Sequence, residues 1–145
     1  MKLTSTAFSD GAPIPERFTC EADDVSPALA WTDAPAGTKS FALICDDPDA
    51  PGKTWVHWVV WGLPQGTTAL PEGFDGASQG ITDNRRPGYG GPCPPPGKPH
   101  RYFFKLYALS STLTLPPSTT KADLERAMKG KILAMATLMG TFART

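Results

Sequence analysis

Residues 55–63 read WVHWVVWGL, a run of aromatic and β-branched side chains of the kind that packs on a pleated surface. Two further stretches share that character. Ser40–Cys45 (SFALIC) is a continuous apolar run of strand length, as expected for a strand covered on both faces. His100–Leu109 (HRYFFKLYAL) is the last strong strand candidate, and its alternation places His100, Tyr102 and Phe104 on one face. If 55–63 alternates in the same way, Trp55, His57, Val59 and Trp61 share a face. A shorter run, 28–32, is closed by the turn residues Asp33-Ala34-Pro35-Ala36-Gly37. The 16 prolines and 14 glycines interrupt the chain so often that strands and shaped loops are expected over long helices. A polar, glycine-rich connection runs from about Pro64 to Asn84.

Helical spacing is confined to the C-terminus, where Leu124, Ala127, Met128, Ile132, Met135 and Met139 fall on one stripe. Thr120 and Asp123 supply an imperfect start signal, Gly130 divides the stretch into two short helices, and Gly140 is a natural stop. The expected fold is mainly β, one domain over residues 1–145, with terminal helices packed on a sheet.

A chain of 145 residues, 40% of them hydrophobic, has enough apolar material for one core. Its 14 basic and 14 acidic residues cancel and no basic run is present, so no nucleic-acid partner is expected. No apolar stretch approaches the roughly 20 residues that cross a bilayer, so the protein is not expected to be integral to a membrane. The N-terminus, MKLTSTAFSDGAPIP, lacks the apolar region of a signal peptide, which predicts a cytoplasmic location. Cys20, Cys45 and Cys93 are odd in number and widely spaced, with no CxxC pair. Free thiols are expected, and neither a disulfide framework nor a zinc site.

Three segments carry polar chemistry. Asp47-Pro48-Asp49-Ala50-Pro51 follows the apolar run at 40–45; in extended geometry Asp47 and Asp49 point the same way. An Asp-Pro turn at a strand end accounts for the same residues. In Trp55-Val56-His57-Trp58 the imidazole lies among large apolar groups and needs a polar partner. A histidine satisfied within the core is the alternative there. The most specific segment is Gly88 to Pro99, GYGGPCPPPGKP, leading directly into His100-Arg101-Tyr102. Free N–H groups at Gly90 and Gly91 would make an anion-binding concavity there. Both histidines of the chain lie in these last two segments.

Asp47-Pro48-Asp49-Ala50-Pro51, Trp55-Val56-His57-Trp58 and Gly90-Gly91-Pro92 leading to His100-Arg101-Tyr102 together resemble the signature regions of the phosphatidylethanolamine-binding proteins. The block GYGGPCPPPGKPHRYFFKLYAL and the ending Gly140-Thr141-Phe142 are most similar to the bacterial, Raf kinase inhibitor-like branch. The resemblance covers nearly the whole chain. It implies an antiparallel β-sandwich with short peripheral helices, and a ligand pocket of Asp47, Trp55, His57, Pro92, His100 and Tyr102. Asp49 matches the second aspartate of the first motif, and the backbone N–H of Gly91 the main-chain donor. Cys93–Lys98 is an inserted loop of bacterial style. The absence of a long helix after Thr145, which covers the pocket in eukaryotic members, leads us to expect a more open one.

Histidine, tyrosine and glycine donors suit a phosphate, a carboxylate or a phosphoethanolamine head group. Asp47 then has three roles open to it: holding a histidine in its donating tautomer, donating as a neutral acid, or meeting a ligand ammonium. Trp55 supplies an apolar wall. The resemblance implies a binding or regulatory protein without cofactor, with inhibition of a kinase or protease and homodimerisation as further expectations. The competing class is a small hydrolase, in which Asp47 or Asp49 pairs with His57 or His100, or Cys93 acts as nucleophile. Cys93 has no helix N-terminus after it to activate its thiol. Asp47, His57 and His100 are too few, at undiagnostic spacing, for a metal site.

Overall fold

The computed structural model describes residues 1–144. In chain order the strands are β1 (Lys2–Thr4), β2 (Leu29–Thr32), β3 (Ser40–Asp47), β4 (Trp55–Pro64), β5 (Ala69–Leu70), β6 (Ser78–Gln79), β7 (His100–Leu109) and β8 (Ile132–Phe142). A 3₁₀ turn lies at Glu16–Phe18, and helix α1 (Lys121–Met128) stands between β7 and β8. All pairings between named strands are antiparallel, in a small sheet β1-β2-β5 and a large one β6-β4-β3-β7-β8.

The two faces of the large sheet bury different partners. Phe41, Leu43, Cys45, Trp58, Phe104 and Leu106 meet Leu3, Leu29, Trp31 and Leu70 of the small sheet, which makes the sandwich core. On the opposite face Ala42, Ile44, Val59 and Trp61 pack with Leu124 and Met128 of α1. With apolar contacts on both sides, β3 is buried along its whole length, as its continuous apolar run predicts. Asp46, on the α1 face and 1% exposed, accepts from Lys105 of β7 at 3.1 Å and from Lys121 of α1 at 2.7 Å. Both ammonium groups reach the same oxygen, Oδ2, and tie two different elements to β3, which meets the pairing requirement of a buried charge.

The C-terminal expectation needs correction. Only the first part of the stripe is helical. Thr120 and Asp123 form a reciprocal capping box at the start of α1, and Leu124 and Met128 are its buried residues. After Gly130, which takes φ +79°, the chain enters β8 and pairs along β7 from Ile132 to Phe142. Ala136, Leu138 and Gly140 point inward while Ile132, Leu133 and Met135 are exposed. Ile132, Met135 and Met139 happen to satisfy helical spacing too, and the long ladder with β7 outweighs that local preference.

The β3–β4 ladder slips twice. Phe41 faces Leu63 but Leu43 faces Val60, and Cys45 faces Trp58 but Asp46 faces Val56. The second slip leaves His57 as an extra residue, a β-bulge that redirects the side chains around it. Strict alternation therefore fails: Val59 and Trp61 join the α1 face, whereas His57 stands edge-on to Tyr102 of the sandwich face, ring centres 5.2 Å apart.

Candidate ligand site

Along the sandwich face of β3 the row Phe41, Leu43, Cys45 ends in Asp47, and along β7 the row Ala108, Leu106, Phe104 ends in Tyr102 and His100. Both rows turn from apolar to polar at the same end of the sheet, because antiparallel pairing brings the end of β3 beside the start of β7. The bulge adds His57 from β4, and Trp55 stands at that strand's start. His57, Trp55, Asp47, Tyr102 and His100 line a cavity of about 560 Å³, together with Asp24, Asn84, Arg86 and the loop residues Gly90, Gly91 and 93–95.

His57 is 5% exposed, and its Nδ1 lies 2.7 Å from the carbonyl oxygen of Gly90. A carbonyl only accepts, so Nδ1 carries the proton and, in the neutral ring, Nε2 is a bare acceptor. Burial pushes the His57 pKa down, against the smaller opposing effect of the Gly90 hydrogen bond. His100 Nδ1 donates to Asp47 Oδ2 at 2.7 Å, and Asp47 Oδ1 accepts from the Asp49 N–H at 2.7 Å. Of the three roles open to Asp47, this bonding is that of a carboxylate orienting a histidine. Neither Nε2 has a partner among the described residues. Tyr102, deep between them, has a buried hydroxyl with no partner among the described residues. Burial holds its pKa far above the ordinary tyrosine value, so the group remains an O–H donor.

Asp47, Trp55, His57, Gly91, His100 and Tyr102 are brought together around the cavity, but Asp49 and Pro92 are not among its lining residues. The chain turns at Pro48, so Asp49 does not share the direction of Asp47. Its carboxylate instead holds Arg101 in a bidentate grip, with both guanidinium contacts at 2.9 Å, and also accepts the Arg101 backbone N–H. That hydrogen bonding holds the Asp49 pKa below the usual carboxylate range. Pro92 is buried, and its carbonyl accepts the N–H of Cys20 at 3.1 Å.

The expected Gly90–Gly91 concavity is also corrected. The Gly90 N–H donates to His57 O at 3.0 Å and the Gly91 N–H to Asp24 Oδ1 at 2.7 Å, so both donors are engaged. Glycine is needed at 91 for packing: a Cβ there would stand 2.2 Å from Phe18 O. The free-thiol expectation fails as well, since Cys20 and Cys93 form a disulfide beside the cavity while Cys45 alone is free and buried. The two half-cystines lie 73 residues apart and meet only because the 3₁₀ turn packs on the glycine loop. This removes Cys93 as a nucleophile. Sequence reasoning missed Asp24, Asn84 and Arg86; the one available signal was that Asn84-Arg85-Arg86 lies just before the Gly88–Gly91 run.

The phosphatidylethanolamine-binding protein family model matches residues 4–143. A UPF0098 protein of Methanothermobacter thermautotrophicus is 47% identical, over 99% of each chain. Among solved structures, the phosphatidylethanolamine-binding protein homologue CT736 of Chlamydia trachomatis superposes with a TM-score of 0.94 at 41% identity, covering 99% of this chain and 97% of that one. YbcL of Escherichia coli, described as a member of the mammalian family, gives 0.93 at 33% identity, covering 99% and 98%. A two-sheet β-sandwich with a polar cavity at the end of its core is the architecture in hand. The chain belongs to the phosphatidylethanolamine-binding protein family.

Proposed function

We propose that this is a binding protein, not an enzyme, and that its cavity receives a small oxyanion: phosphate, a carboxylate or a phosphoethanolamine-type head group. The observation that carries the reading is the buried, unpartnered Tyr102 hydroxyl beside two histidines whose Nε2 atoms are likewise unpartnered among the described residues. A buried donor without a partner costs stability unless a ligand or water satisfies it. Arg86 adds a cation at the cavity wall. The lining carboxylates oppose an anion less than their number suggests, because Asp47 and Asp24 already accept protein N–H groups. The free oxygen of Asp24 is the natural contact for a ligand ammonium. Neutral His57 offers only an acceptor, so the anion either brings a proton, as monohydrogen phosphate does, or binds with uptake of one.

The nucleophilic route through Cys93 is disfavoured because Cys20 and Cys93 are spent in a disulfide. The test is a titration with phosphate and with phosphoethanolamine, followed by the histidine ring NMR signals. Saturable shifts of His57 and His100, lost in His57→Ala, are the expected result. Unshifted signals with both ligands would sink the reading.

Three finer elements complete the proposal. A homodimer has a fitting surface at the β8 edge, where Ile132, Leu133 and Met135 are exposed and the outer backbone of residues 133–137 has no partner among the described residues. Met135→Lys should then yield monomer in sedimentation. Kinase or protease inhibition, implied by family resemblance, would act through ligand-dependent exposure of the cavity rim. Among the described residues, no helix is long and apolar enough to cross a membrane. A cytoplasmic location and an exposed disulfide make opposite demands, since cytosolic thiols reduce such bonds; cell fractionation decides between them.

A further inference from the structure

The segment from Cys93 to Pro99 forms one rim of the cavity, through Cys93, Pro94 and Pro95, yet it is exposed at every residue but Pro94. Four of its seven residues are prolines and lack an N–H. Among the described residues it takes part in no backbone or side-chain hydrogen bond. Besides the packing of buried Pro94, the tie that remains is the covalent one from Cys93 to Cys20, just after the 3₁₀ turn. Both half-cystines are exposed, so a small thiol can reach the sulfurs without unfolding the protein. The floor beneath is held separately. Tyr89 donates to Phe18 O at 2.8 Å, Gly91 to Asp24 at 2.7 Å, and Cys20 to Pro92 O at 3.1 Å.

We propose that the Cys20–Cys93 disulfide is a reducible latch, opened by low-molecular-weight thiols, whose opening frees residues 93–99 and weakens ligand retention. A small-molecule thiolate attacks one sulfur, the protein S–S bond breaks, a mixed disulfide forms, and the displaced cysteine thiolate takes up a proton. A second thiol displaces the first, leaving two protein thiols and one oxidised small-molecule disulfide; the two thiols supply the two electrons. Cys45 stays out of the exchange because it is buried in the sandwich core, and burial also raises its pKa and keeps it a thiol. The floor bonds persist, so the effect is a loss of rim closure and not a collapse of the site. The latch itself rests on the loop geometry; its effect on affinity rests on the anion reading above.

The experiment uses the intact oxidised protein, treated with dithiothreitol without denaturant, and has two arms. In the first, without ligand, two new reactive thiols are counted. Order parameters of the Cys93, Gly97 and Lys98 amides should drop below about 0.6, while Gly90 and Gly91 stay near 0.85. In the second, the affinity for inorganic phosphate should fall about fivefold on reduction. The Cys20→Ala/Cys93→Ala variant should bind at the weaker value whether thiol is present or not. A bond that resists reduction in the native state, or a loop that stays ordered afterwards, overturns the latch. So does loss of the dispersed amide spectrum, which would make the bond a structural staple. Absence of phosphate binding in the oxidised protein counts against the anion reading alone, because the first arm still decides the latch.

Discussion

His57 shows how little of a residue's role its type determines. A histidine flanked by tryptophan and valine is expected to be a core residue, and in burial it is one. What makes it a site residue is that its Nδ1 proton is spent on Gly90 O, leaving Nε2 unpartnered among the described residues. Its depressed pKa gives a signed prediction. In the window between the ordinary value of about 6.5 and the lower folded value, the unfolded chain binds more protons than the native one. The stabilising contribution is complete above about pH 6.5 and is lost as pH falls towards the folded pKa. Thermal midpoints at about pH 7.5 and about pH 5.5 should differ more for the wild type than for His57→Gln. Phosphate affinity should move the opposite way and rise with acidity, since a protonated Nε2 becomes a donor. Tyr102→Phe separates stability from binding. Losing an unpartnered buried hydroxyl should leave the unfolding free energy unchanged or raise it by up to about 1 kcal/mol. The same change should weaken phosphate about tenfold, near 1.4 kcal/mol. Calorimetric titration and urea denaturation on the one variant check both signs.

Among the elements, the long strands were legible. The runs at 40–45, 55–63 and 100–109 lie within β3, β4 and β7, because buried strands need continuous apolar, β-branched and aromatic sequence. The start of α1 was legible from Thr120 and Asp123. The second half of the C-terminal stripe was not, since spacing cannot reveal that β7 offers an edge for it to pair with. The glycine loop was legible as a site element but not in its physics, which is close packing against the 3₁₀ turn. Gly91→Ala should therefore cost about 3 kcal/mol, since the Cβ would meet the backbone oxygen of Phe18 and not a yielding side chain. Gly66→Ala, in open space, is the matched control and should change stability by less than about 1 kcal/mol. Paired urea denaturation curves test the contrast.

For the whole molecule, order along the chain and order in space part company at the cavity. Segments near residues 20, 47, 57, 86 and 100 converge there. Local motifs exposed those near 47, 57 and 100, but the disulfide and the contribution of Asp24 depend on how the 3₁₀ turn docks, which no local pattern encodes. The same long closure has an energetic consequence. A bond between residues 73 apart restricts the unfolded chain enough to contribute about 4 kcal/mol. Cys93→Ser should lower the unfolding free energy by about that amount, and a fall below about 1 kcal/mol would show that strain or residual structure offsets the cross-link.

The extra residue in β4 implies something about heredity as much as about shape. A substitution at Val56 or Trp58 alters packing, but deleting the one codon between Asp46's partner and Cys45's partner, that of His57, would erase the bulge and remove the imidazole that faces Tyr102. The resulting polypeptide would retain nearly all its apolar composition and could still form two sheets. Lineages could thus lose the pocket in a single in-frame deletion while keeping the sandwich, so strand length, rather than residue identity alone, is the character to compare when deciding which relatives bind ligands.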